Sequence, residues 1–313
     1  KTHDTMLNYA NGDFSWQIAS TVTAAEQVMG TADGVYAGVW IVGMDRRWTT
    51  LDQDAQSHKV GVCLWGEHGQ SRFMSYNTGD GAFDTQQKYQ YILERAFSGG
   101  NRTPINRPAV TRANSGKINW EATADLPYPL MNFAGVATWI PERSAIQGDF
   151  HFDTHFTLGN GYYYYYKGKK SYAGSWYNMG SQDLVPTYRW LRYASNTTSI
   201  SNDIDVKYTH VDAYTGGSCI ELTGAATTAG TDIVLYKTGL TVGGTQPYAK
   251  VAVKTLKEGD VPTNLYLILK KSGSDQWLEY PVGNVAGGSW SEVGFDLTGL
   301  AQGDVVTRVG LRV

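Results

Sequence analysis

Trp65-Gly66-Glu67-His68 closes an apolar run and sets an indole beside a carboxylate and an imidazole. A flat ring can stack on a ligand face, and the two titratable groups can exchange protons with it. Glu67 is the candidate general acid, set against the ordinary fate of a loop carboxylate, which is solvation. His68 stands alone, either as a ligand contact or as an incidental surface group. Trp40 alternates with Tyr36 in a second apolar run, where it either floors a pocket or fills a core. Tyr9 and Asn11 close a third, with Asn11 the first residue of an Asn-Gly turn. Asp203, Asp205 and Asp212 are oxygen donors of the kind a structural calcium takes. No cofactor motif occurs, and Cys63 and Cys219, far apart and within apolar runs, read as buried free thiols without zinc-type spacing.

These candidates need elements to hold them. Residues 4–11 read as a short strand entering a turn. From Phe14 to Met29 the positions Ile18, Val22, Ala25, Val28 and Met29 recur at helical spacing, and Gly30 supplies the stop. Continuous apolar runs at 35–42 and 59–65 suit strands covered on both faces, as in a parallel sheet. Strand, helix, buried strand, buried strand is the rhythm of a βα barrel, yet three strands cannot close one, so further strands are expected upstream of Lys1. In such a barrel the strands' C-terminal ends gather the chemistry, which places Tyr9, Asn11, Trp40, Trp65, Glu67 and His68 at one mouth.

From Asp149 onward short apolar runs alternate with Gly-rich turns, as in a jelly-roll-like β-sandwich that runs into the chain's last residue. The expected division is therefore 1–147 for the C-terminal portion of a (β/α)8 barrel and 148–313 for the sandwich, two domains being what a chain of 313 residues suits. The Tyr162 to Tyr166 run should alternate faces, with at most three rings on one side.

Lys+Arg 26 against Asp+Glu 29, with no basic run, argues against nucleic acid and anionic lipid as partners and for a neutral ligand. No apolar stretch reaches membrane-spanning length. The 36 Gly, 21 Tyr and 10 Trp suit turn-rich β structure, and the same rings serve either a core or a sugar-binding surface.

Six stretches in order carry a family resemblance: LNYAN at 7–11, VYAGVWI at 35–41, VGVCLW at 60–65, LERAFSGGN at 93–101, FDTHFTLGNGYYYYYKGKK at 152–170 with SWYNMGSQDLVPTYRWL at 175–191, and VDAYTGGSCIELTG at 211–224. In this order they resemble glycoside hydrolase family 85, the endo-β-N-acetylglucosaminidases, with the first three similar to the sixth, seventh and eighth barrel strands. The resemblance implies cleavage of the GlcNAc-β1,4-GlcNAc core of N-linked glycans with retention, the substrate's acetamido group acting as nucleophile and one Glu as acid and base. That is an exception to the two-carboxylate scheme.

The family's Asn-x-Glu belongs to the fourth strand, so no residue here inherits it, and the chain alone is expected to be inactive. Asn119-Trp120-Glu121 has the letters but lies far past the eighth strand. Asn11 stands where the family usually has a Trp, with Trp16 five residues on. The implied partners are an N-linked glycan or glycoprotein and the missing N-terminal barrel segment; an alternative is a non-catalytic, lectin-like module. An appended sandwich favours a secreted or cell-surface bacterial protein over a cytoplasmic one.

Overall fold

The structure, a computed structural model, describes residues 5–7, 15–40, 60–65, 146–185 and 191–313. Among them the chain is mostly β-strand with one α-helix, and contacts divide it into two units, 1–142 and 143–313.

In the first unit, β1 (Thr5–Leu7), α1 (Ser15–Met29), β2 (Val35–Trp40) and β3 (Gly61–Trp65) follow one another. β1, β2 and β3 form a parallel sheet in that order, so β1, α1 and β2 make one strand–helix–strand crossover. Ile18 and Val22, one turn apart, are buried, as are Val35 and Val60. Gly30 ends the helix at φ 77°, its N–H donating to the Glu26 carbonyl at 2.9 Å, a left-handed cap that glycine takes without strain. Val28 and Met29 share the apolar period but are exposed, so the buried stripe stops a turn before the helix does.

The second unit contains β4 (Gln147–Gly148), β5 (Asn160–Tyr166), β6 (Lys169–Tyr177), β7 (Leu191–Ala194), β8 (Ile204–Thr209), β9 (Cys219–Gly224) and β10 (Thr231–Thr241). It continues with β11 (Tyr248–Lys254), β12 (Asp260–Pro262), β13 (Tyr266–Lys271), β14 (Trp277–Pro281), β15 (Asn284–Ala286), β16 (Trp290–Asp296) and β17 (Val305–Arg312). Gln147 and Gly148 pair with Gly239 and Leu240, so the chain joins this unit slightly earlier than the composition change suggests. Strands β14, β13, β17, β10 and β4 lie side by side, with β7 also on β10. β5–β6, β8–β9, β11–β16 and β12–β15 are two-stranded pairs.

One face of the large sheet carries the core. Ile233, Leu311 and Leu267 stand in one register row across β10, β17 and β13. Ile233 and Leu311 pack with Ile204, Val206 and Tyr208 of β8. Leu267 and Leu269 pack with Val251, Val293 and Phe295 of the β11–β16 pair. Leu240, Leu265 and Val309 touch both groups, which makes the core continuous. Each fully buried Leu or Ile contributes roughly 1.5–3 kcal/mol, and alternation along the strands is what collects them on one side.

The neighbouring row, Tyr266, Arg312 and Asp232, turns to the other face. There Arg312 donates to Asp232 twice, Nε to Oδ1 at 2.5 Å and Nη2 to Oδ2 at 3.0 Å, and also to Glu279 and to Asn196 Oδ1. Asp232 further accepts from Ser195 Oγ at 2.9 Å and the Asn196 N–H at 3.0 Å. Burial pushes the Asp232 carboxyl up, but hydrogen bonds led by Arg312's outweigh it and hold the group below the usual carboxylate range.

Candidate functional site

Of the six residues expected at the strand ends, the structure describes the backbone of two. Trp40 ends β2 and Trp65 ends β3, and they are Cα partners in a parallel register that runs Tyr36–Gly61 through Trp40–Trp65. The two indole-bearing positions, 25 residues apart in sequence, are thus brought to one row at the C-terminal edge of the sheet. Tyr9, Asn11, Glu67 and His68 lie outside the described residues, as does Asn119-Trp120-Glu121.

The three aspartates have separate partners. Asp205 pairs with Arg192 at 3.5 Å, Asp203 accepts from Ser201 and Thr227, and Asp212 pairs with Lys254 at 2.5 Å. Among the described residues no three His, Cys, Asp or Glu side chains converge as metal ligands. Cys63 and Cys219 are free, as expected, but half-buried. Burial pushes Cys219 up to about 12, which keeps it a thiol, and it donates to the Asp212 carbonyl at 3.2 Å.

The tyrosine run keeps the expected alternation, with Tyr162, Tyr164 and Tyr166 on one parity and Tyr163 and Tyr165, whose rings touch, on the other. The two register shifts of the pair fall in β6, which carries an extra residue opposite Gly161–Tyr163 and another opposite Tyr164–Tyr165. Tyr165 is buried, while Tyr162 and Tyr166 are exposed. Tyr164 packs on Trp176 with centroids 5.4 Å apart, and Lys170 Nζ sits 3.6 Å above the Tyr163 ring. The rings therefore mostly brace their own hairpin. At its base buried His210 places Nε2 2.8 Å from Oδ1 of Asn160, and burial pushes the imidazole down to about 4, so it is neutral at neutral pH.

The hairpin's tip is a two-residue loop, Lys167-Gly168, with both φ angles positive (49° and 74°). Its Gly168 N–H donates to the Tyr214 carbonyl at 2.7 Å. A Cβ on Gly168 would stand 2.6 Å from the Trp290 ring, so only glycine lets the turn lie on that indole.

Around Trp290 is a polar and aromatic cluster that motif reading missed. Tyr214 lies 5.6 Å from Trp290 and 6.4 Å from the stacked His155 ring. Trp290 Nε1 donates to Asp212 Oδ1 at 3.3 Å. The Tyr214 hydroxyl donates to Glu292, which also accepts from Lys250 at 3.1 Å. Hydrogen bonds from Tyr214 and then Lys250 hold Glu292 below the usual carboxylate range, while burial and then the Glu292 bond push Tyr214 up to about 12. The available signal was Tyr248, Lys250 and Lys254 at even spacing in a strand whose odd positions are apolar.

No family model matches the chain, and no curated protein matches it. A solved structure does: the glycoside hydrolase domain of Endo-D, Spr0440, from Streptococcus pneumoniae R6, with a TM-score of 0.62 at 21% sequence identity. The match covers 99% of this chain and 44% of that one, so the chain shares its fold with less than half of the solved structure's length.

Proposed function

We propose that this chain is the C-terminal part of a mannosyl-glycoprotein endo-β-N-acetylglucosaminidase, comprising the last three strands of a (β/α)8 barrel and a jelly-roll-like sandwich. The observation that supports this reading most is the likeness of fold, across nearly the whole chain, to the Endo-D glycoside hydrolase domain. The parallel β1–α1–β2–β3 order, with Trp40 and Trp65 registered at the strand ends, agrees with it. Tyr9, Asn11, Trp40, Trp65, Glu67 and His68 then form one side of the glycan mouth. The proton donor belongs to an earlier strand on a longer polypeptide, where substrate-assisted cleavage needs one carboxylate of raised pKa. A secreted or cell-surface location goes with this reading.

The test uses a high-mannose glycopeptide and mass spectrometry. The 313-residue chain is expected to give no product, and the longer protein to release the glycan, leaving one N-acetylglucosamine on the peptide. A folded longer protein that leaves the glycopeptide intact would end the hydrolase reading, and turnover by these 313 residues alone would move the proton donor into this chain. In the longer protein, Trp65→Ala is expected to weaken glycan binding by roughly 1–3 kcal/mol, the scale of an aromatic anchor, read from KM or a titration. An unchanged KM and kcat would make Trp65 a core residue.

A further inference from the structure

The β11–β16 pair has two unlike faces. Ala249, Val251, Val253, Val293 and Phe295 enter the core, and the alternate positions Tyr248, Lys250, Lys254, Trp290 and Glu292 turn outward. Tyr248 stands over Gly294, where a Cβ would come within 2.2 Å of its hydroxyl oxygen and 3.0 Å of its ring, and it is 58% exposed. A glycine in the facing strand is what lets an aromatic ring lie down on a sheet and offer its other face to solvent.

We propose that this outer face binds a neutral oligosaccharide, with Tyr248 as the stacking platform and Lys250, Glu292, Asp212 and Lys254 as the hydroxyl partners. Two carboxylates are matched by lysines, Glu292 by Lys250 at 3.1 Å and Asp212 by Lys254 at 2.5 Å, and exposed Asp296, opposite Tyr248, adds a third acceptor. The face therefore offers alternating donors and acceptors without the surplus of positive charge that nucleic acid or anionic lipid requires. It is too polar for an apolar partner helix. A pyranose presents what it lacks: a C–H face for the ring and a rim of hydroxyls that both donate and accept.

From Tyr248 to Lys254 the strand extends roughly 20 Å at about 3.3 Å per residue, room for several sugar rings. The cluster is also held in place before any ligand arrives, because Trp290 is seated under Gly168 and tied to Asp212, and Tyr214 to Glu292. The surface goes beyond the hydrolase reading and does not require it.

Affinity electrophoresis of the whole chain through gels containing yeast mannan, galactomannan or hydroxyethyl cellulose tests the assignment, with dextran sulfate as a charged control. At least one neutral polysaccharide should retard the chain and dextran sulfate should not. Tyr248→Ala should weaken that retardation by about tenfold, with an unchanged melting temperature because the ring is exposed, and Tyr248→Phe should retain it. Absence of retardation in all three neutral gels overturns the inference. So does retardation that Tyr248→Ala leaves intact, including the case in which Trp65→Ala abolishes it and the strand-end mouth is the binding site. Glycopeptide cleavage by the longer protein is a separate readout, so the hydrolase reading and this one fall independently.

Discussion

Arg312→Met is expected to destabilise the second unit by about 3–5 kcal/mol, because it leaves Asp232 buried with its cation gone. The Asp232 side chain is 2% exposed and Arg312's 10%, so water cannot replace the lost guanidinium. Ser195 and Asn196 still donate to the carboxylate, but neither carries charge. Adding Asp232→Leu should recover part of the loss, since removing both members of a buried pair is far less damaging than removing one. Urea unfolding of the two variants beside the parent chain measures this, and a loss under 1 kcal/mol for Arg312→Met would mean that the pair is effectively solvated.

The second large effect is on acid stability. A free histidine titrates near 6.5, whereas burial holds His210 at about 4, so between those values the unfolded chain binds the extra proton. Stability from this group is therefore complete above pH 6.5 and is lost as pH falls to about 4. The separation corresponds to roughly 3 kcal/mol at 1.36 kcal/mol per unit. His210→Gln keeps a donor for Asn160 without a titrating ring. Its unfolding free energy should fall less between pH 7 and pH 4 than the parent's, by about that amount, and equal declines would refute a neutral buried imidazole.

Elements are legible in this sequence where a few neighbouring residues specify them. Ile18 and Val22 with Gly30 define α1, and the apolar runs at 35–42 and 59–65 contain β2 and β3. Partners are harder, because they depend on residues far apart. Nothing local says that β17 pairs with both β10 and β13, or that Asp212 meets Lys254 and Trp290. Spacing misleads for the aspartates, since two residues of separation in Asp203 and Asp205 leaves each with a different neighbour. It holds in the tyrosine run, where Tyr162 and Tyr166 are exposed and Tyr165 is buried, the bulges of that pair falling in β6. The mouth is legible only as far as Trp40 and Trp65, for Tyr9, Asn11, Glu67 and His68 fall outside the described residues.

The position of β17 also sets an order of events during synthesis. It is made after every other strand described, yet it lies between β10 and β13 and supplies Arg312 to the buried network. Ribosomes add roughly 5–20 residues per second, so for several seconds β10 and β13 wait with open hydrogen-bonding edges facing each other across a gap. The nascent second unit is then expected to be most exposed to misassembly and to proteases until residues 305–312 arrive. Slower translation through 272–304 should prolong that exposure, and removal of β17 should leave a chain that collapses without a sheet to complete.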